Sequence, residues 1–259
     1  MSAASATHDT GEHLVLSGVQ VSFSGFLAVS GLDLTVGRGE LRCLIGPNGA
    51  GKTTALDLIC GKVKPTAGDI RFNGASLNRL KEYRIARAGI GRKFQVPSVF
   101  KELTVLDNLQ IAQSRHTGVL RNLAVFGERG ELEGLQKLAE LVGLENELQT
   151  TAAFLSHGQT QWLEIALLLA QDPQLILMDE PTAGMTTQET EKTANLFDRL
   201  KGHHTLIVVE HDMGFVREVG SVISVMHQGK LLAEGTIAEI ETNPLVREAY
   251  LGKKGISDA

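Results

Sequence analysis

Hydrophobic and polar positions fall into two regimes along the chain. Short apolar, β-branched segments separated by glycine come first: residues 14–23 (LVLSGVQVSF), 32–36 (LDLTV) and 40–45 (ELRCLI) read as strands. The last runs into a glycine-rich loop, after which 52–60 reads as a helix and 68–74 (GDIRFNG) as another short strand. From about Val105 to Ala170 the spacing turns helical, as at Leu132, Leu135, Leu138 and Leu141. Pro173 closes that stretch, and 175–179 (LILMD) reads as a strand buried on both faces. A helix over 187–201, strand TLIVVE, helix MGFVREV, strands SVISVM and GKLLAEG and a C-terminal helix follow. Such alternation predicts an α/β fold with a mainly parallel sheet covered on both faces. The helical insert between about 97 and 170 makes a second lobe, residues 1–13 read as a disordered tail, and 253–259 as a C-terminal tail.

Composition narrows this further. Glycine is in excess, 28 of 259 residues with only 6 prolines, which suggests tight backbone turns beside a ligand rather than linkers. Lysine plus arginine number 25 against 30 acids, a formal net charge of −5, and a mildly acidic chain is poorly suited to wrapping nucleic acid. Cys43 and Cys60 are the only cysteines; they make no disulfide framework, point to a reducing compartment, and in their apolar stretches are expected to be buried. No run reaches the roughly 20 apolar residues that span a bilayer, and the N-terminus has no signal-peptide pattern, so a cytoplasmic location is expected.

Two stretches carry chemistry. Gly46-Pro47-Asn48-Gly49-Ala50-Gly51-Lys52-Thr53 fits G-x-x-x-x-G-K-[ST] between a strand and a helix. Its glycines let backbone N–H groups converge on an anion at a helix N-terminus, Lys52 can reach β- and γ-phosphates, and the Thr53 hydroxyl can ligate Mg²⁺. Thr54 follows in the same helical turn. Downstream, Asp179 and Glu180 end the strand LILMD, at the edge that faces the ligand crevice in open α/β sheets. Asp179 suits the Mg²⁺ shell, and Glu180 suits a general base that polarises water.

Leu155-Ser156-His157-Gly158-Gln159 completes the set, and the sequence resembles the ATP-binding subunit of ABC transporters, whose signature is LSGGQ. The match runs over nearly all of 14–252. The resemblance implies ATP and Mg²⁺ as ligands, with Phe94-Gln95 as the Q-loop, Gln95 touching metal and attacking water. It implies Ala183-Gly184-Met185-Thr186 as the D-loop and His211, in Val209-Glu210-His211-Asp212, as the switch histidine. Ser156, Gly158 and Gln159 would face nucleotide bound by a second ATP-binding subunit. Phe23 stands where the family stacks an aromatic on adenine, with a plain core role as the alternative.

Segments FLAVSGLDL, GRKFQVPSVFKELTVLDNLQIAQ and VVEHDMGFVREV are similar to importers of branched-chain amino acids, amides and urea. LSHGQ, GRKFQ and EPTAGMT are nearest the urea-type subunit. The family implies head-to-tail pairing over ATP, permease subunits in the membrane, an external substrate-binding protein as an indirect partner, and a place on the cytoplasmic face. Residues 97–115 would receive the permease's coupling helix. A soluble ABC-type ATPase acting on nucleic acid or ribosomes is the alternative; it lacks support from charge, long insertions or a second cassette.

Two positions depart from the family: His157 replaces a glycine of the signature, and Thr186 replaces the D-loop aspartate. The imidazole is expected to point away from nucleotide. Lys81, Arg84, Arg87, Arg92 and Lys93 read as a solvated basic face, His203 and His204 as surface residues, and Trp162 as packing without a polar partner.

Overall fold

The computed structural model describes residues 11–93, 99–113 and 129–251. Strand β1 (Glu12–Phe23) pairs antiparallel with β2 (Phe26–Gly37) and with β4 (Ala67–Phe72), and the short β5 (Ala75–Ser76) completes a sheet of order β2-β1-β4-β5. A second sheet has the order β10-β9-β3-β8-β7-β6, built from β3 (Leu41–Ile45), β6 (Ile90–Lys93), β7 (Leu175–Asp179), β8 (Thr205–Val209), β9 (Val222–His227) and β10 (Lys230–Gly235). All its neighbours are parallel except the hairpin β9–β10.

Strands β3, β7 and β8 are buried at every position, because both faces of this sheet carry a core and alternate side chains serve each. Ile176, Met178, Leu206 and Val208 join a core with Trp162, Leu163, Phe197 and Phe215. Leu175, Leu177, Ile207 and Val209 join the other, with Leu14, Leu16, Leu56 and Ile59. The first core is roofed by α3 (Val105–Gln113), α4 (Arg129–Val142), α5 (His157–Leu169), α6 (Thr187–Leu200) and α7 (Met213–Val219). The second is closed by the antiparallel sheet and by α1 (Lys52–Ile59), with α2 (Glu82–Arg87) alongside. Two short helices, α8 (Ile237–Thr242) and α9 (Pro244–Val246), follow β10.

Several expectations need correction. The chain is ordered before Leu14: β1 starts at Glu12, and His13 is buried against Phe72 with its Nδ1 2.6 Å from Thr205 Oγ1. Cys43 is buried, whereas Cys60 is half-buried. Arg92 and Lys93 leave the solvated basic face: they lie on β6, a strand not foreseen, with side chains 6% and 5% exposed. Trp162 has a polar partner, donating from Nε1 to Thr193 Oγ1 at 3.0 Å. His204 is half-buried, with Nδ1 2.6 Å from the Pro173 carbonyl, while His203 is exposed as expected.

Candidate functional site

The order β3-β8-β7 explains why residues far apart in sequence meet. These parallel neighbours release their following segments at one edge of the sheet: the loop 46–53 after β3, Glu210 and His211 after β8, and Glu180 after β7. A cleft of about 270 Å³ opens there, lined by Asn48, Gly49, Lys52, Thr53, Glu180 and His211, with Thr54 also on its wall.

The loop needs glycine for two physical reasons. At Gly46 (φ 144) an added Cβ would sit 2.1 Å from the Met226 carbonyl oxygen, and at Gly51 (φ 98) 2.7 Å from that of Ala28. The Lys52 ammonium arches back over the loop, donating to the carbonyls of Gly46 at 2.7 Å and Pro47 at 3.1 Å. Burial pulls its pKa below the usual lysine value, while the charges of Glu180 and Asp179 act the other way.

Asp179 is buried beside Thr53, and neither carboxylate oxygen has a hydrogen bond of normal geometry. Burial raises its pKa, opposed first by the Thr53 hydroxyl and then by the Arg92 charge. A buried carboxylate beside a hydroxyl, with only a long 3.9 Å ion pair to Arg92, fits a hard divalent cation that takes oxygen ligands and completes its shell with phosphate and water. Among the described residues no cluster of three His, Cys, Asp or Glu side chains offers a competing metal site.

Glu180 sits in the left-handed backbone region (φ 49), with its N–H bonded to the Val209 carbonyl at 2.9 Å. Its Oε1 lies 2.9 Å from His211 Nε2, so the candidate base and the candidate switch histidine are in direct contact. Glu210, assigned no role from sequence, ties the segment after Glu180 to the backbone of His211. Its Oε1 accepts from the Thr182 hydroxyl at 2.7 Å and backbone N–H at 3.1 Å, and its Oε2 accepts from the His211 N–H at 3.1 Å. Burial pushes the Glu210 pKa up, and the bonds from Thr182 oppose it. An acid directly after an apolar strand, as at Asp179, was the signal available for it.

Phe23 does not line the cleft; Phe26, paired with it across the β1–β2 turn, does. Phe94 and Gln95 fall outside the described residues. Ser156, Gly158 and Gln159 stand at the start of α5, apart from the cleft. Ser156 accepts from the Gln159 N–H at 3.2 Å, and the Gln159 side chain accepts from the Ser156 N–H at 2.9 Å, closing a capping box. The His157 ring turns to the D-loop, Nε2 lying 2.9 Å from the Ala183 carbonyl. Thr186 caps α6, its side chain and N–H both bonded to Glu189, whose carboxylate packs so closely on Gly158 that a Cβ there would meet it at 2.2 Å.

A second concavity, about 490 Å³ and mostly apolar, lies between α2 and the helical lobe, with Tyr83, Phe100, Ile111, Leu167 and Leu168 on its walls.

A family model described as ABC transporter matches residues 29–183, and one for branched-chain amino acid ATP-binding cassette transporters matches 230–255. The chain belongs to the ABC transporter ATP-binding family. It is an ATPase whose hydrolysis is coupled to transport. The high-affinity branched-chain amino acid transport ATP-binding protein BraF of Pseudomonas aeruginosa is 38% identical over 249 residues, 93% of this chain and 98% of that one. The crystal structure of an ATP-binding cassette of an ABC transporter in its ADP conformation superposes with a TM-score of 0.82 at 30% identity, covering 94% of this chain and all of that one. A dimeric post-hydrolysis cassette bound to ADP and phosphate gives 0.70 at 26% identity, covering 86% and 98%. The ABC ATPase fold expected from sequence is therefore the one observed. Among the described residues, no helix is long and apolar enough to cross a membrane.

Proposed function

We propose that this ABC ATPase subunit powers import of branched-chain amino acids or chemically related amides, by closing with a second ATP-binding subunit over ATP. The observation that carries the reading is the convergence of Lys52, Thr53, Asp179, Glu180 and His211 on one cleft. The loop N–H groups and Lys52 bind the phosphates. Thr53 and Asp179 would hold magnesium, which supplies charge neutralisation on the phosphate oxygens when bound. Glu180 takes the proton of the attacking water, and His211 orients the Glu180 carboxylate through their direct contact. Phe26, at the mouth of the cleft, offers a face to the base.

Ser156 and Gly158 lie apart from this cleft, which suits contacts with nucleotide held by a partner subunit, as does the likeness to a dimeric cassette. ATP bridging two subunits favours the closed pair, and hydrolysis removes that preference. We assign the apolar concavity beside β6 to a helix of the membrane partner, a reading in which the subunit works at the cytoplasmic face.

For cargo, BraF and the C-terminal family match favour branched-chain amino acids, whereas LSHGQ, GRKFQ and EPTAGMT favour urea. Co-expression with candidate permease subunits and reconstitution into vesicles separates them. ATP-dependent uptake of radiolabelled leucine supports the first and uptake of radiolabelled urea the second. Purified chain that binds no nucleotide with magnesium present defeats the reading altogether.

A further inference from the structure

Charge is spread unevenly along the chain. Residues 61–93 hold nine lysines and arginines against two acids, whereas the remaining residues hold 16 against 28. The fold withdraws three of the nine: Arg92 and Lys93 are buried, and Arg71 pairs with Asp69 at 2.7 Å. The other six, Lys62, Lys64, Arg79, Lys81, Arg84 and Arg87, are exposed. They come from two segments that pack together, the loop after α1 and the stretch that leads into and through α2. The Lys64 ammonium donates to the Leu80 carbonyl, and Gly61 lies against the Ile85 side chain. Arg84 and Arg87 flank the exposed Tyr83 ring, their guanidinium carbons 6.0 and 5.6 Å from its centroid. Among the described residues, Asp57, 3.6 Å from Lys62, is the only carboxylate paired with any of the six. Tyr83 also stands on the wall of the apolar concavity, with the exposed Phe100 and Ile111, so the cations border the groove assigned to a membrane helix.

We propose that the basic face formed by α2 and the loop after α1 docks on anionic phospholipid headgroups of the membrane that holds the partner subunits. The inference rests on the reading of the groove as the seat of a membrane helix, and adds the lipid as a second contact. Acidic lipids present a plane of phosphates that attracts lysine and arginine within a Debye length. The planar forks of Arg79, Arg84 and Arg87 match phosphate oxygens with paired donors. Tyr83, apolar in its ring and polar at its tip, suits the headgroup level. The acidic remainder of the chain is repelled by the same plane, which turns this face toward the bilayer.

The full chain is sedimented with vesicles of phosphatidylcholine alone and of phosphatidylcholine mixed with phosphatidylglycerol. Binding is expected only to the mixed vesicles and is expected to weaken as salt rises. Each cation removed should lower affinity about fivefold, so Arg84→Gln with Arg87→Gln binds about twentyfold or more weakly. Arg79→Gln with Lys81→Gln is an independent pair with the same expectation. Arg199→Gln with Lys230→Gln, which removes the same charge from exposed positions elsewhere, is expected to keep binding. Equal binding to neutral vesicles, undiminished binding by either patch variant, or an equal loss in the Arg199, Lys230 variant overturns the proposal. So does release by polyglutamate or inorganic phosphate at an ionic strength where chloride leaves the chain bound, which gives the face to an acidic protein segment or a small anion. Nucleotide titration of every variant reports that it is folded. A chain that binds nucleotide but no acidic vesicle removes the lipid surface alone, whereas an unsubstituted chain that binds neither removes the nucleotide-site reading as well.

Discussion

His157 Nε2 lies 2.9 Å from the carbonyl oxygen of Ala183, so the residue that departs from the signature pattern is tied to the D-loop of its own chain. The ring also packs on Gly184, where an added Cβ would approach it to 3.1 Å. Both family departures thus belong to one contact zone, since Thr186 caps α6 through Glu189, and Glu189 packs on Gly158 beside His157. With the imidazole engaged there, His157→Gly is expected to leave single-site ATP hydrolysis within about threefold and to lower stability by about 1 kcal/mol, the net worth of one exposed hydrogen bond. Hydrogen exchange at 183–186 should rise. A many-fold loss of hydrolysis with unchanged melting would show that the ring touches nucleotide instead.

The Glu180–His211 contact predicts an ordered pair of phenotypes. Glu180→Gln should lower hydrolysis by about 10² to 10⁴ while nucleotide binding is kept, as expected for removal of a general base. His211→Ala leaves the base in place but unheld, so its loss should be smaller. Equal losses, or rapid turnover by Glu180→Gln, would take the base role away from Glu180.

Gly46→Ala tests the loop itself. Its Cβ would fall 2.1 Å from the Met226 carbonyl oxygen, at a φ of 144 that side chains rarely adopt. The loop or the end of β9 must shift, and a destabilisation beyond about 1 kcal/mol with loss of nucleotide affinity is expected. Denaturant melting and nucleotide titration check the two parts separately.

His13 gives the fold a dependence on pH. Burial, and then the Arg38 charge, lower its pKa from the ordinary value of 6.5. Below that value the unfolded chain takes up a proton that the folded chain refuses, so stability present above 6.5 is lost as pH falls toward the folded pKa. His13→Gln should flatten the melting temperature across about pH 7.5 to 5.5 relative to the unsubstituted chain. An identical slope in both would assign the dependence to other groups.

Where apolar spacing and local motif agree, the fold could be read in advance. LILMD and TLIVV are buried throughout because the parallel sheet is covered on both faces, and the acids after them stand at the open edge. What escaped was decided by distant partners. Arg92 and Lys93 look solvated until Asp57 and Glu164 are brought to them, and Trp162 finds Thr193 only when α5 meets α6. His13 reads as part of a polar tail because Thr205, its partner, lies 192 residues away. Phe23 and Phe26 are indistinguishable by composition; they pair across the β1–β2 turn, and only the folded chain puts Phe26 rather than Phe23 on the cleft wall.

The backbone of Glu180 has a lasting consequence. At φ 49 a glycine would be more comfortable than any side chain, by about 1 kcal/mol, yet the base role proposed for Glu180 needs its carboxylate. On that proposal thermal robustness and turnover are opposed at a single codon: Glu180→Gly would relieve the backbone and remove the proposed base together. Screens that stabilise this subunit need an activity filter at that position.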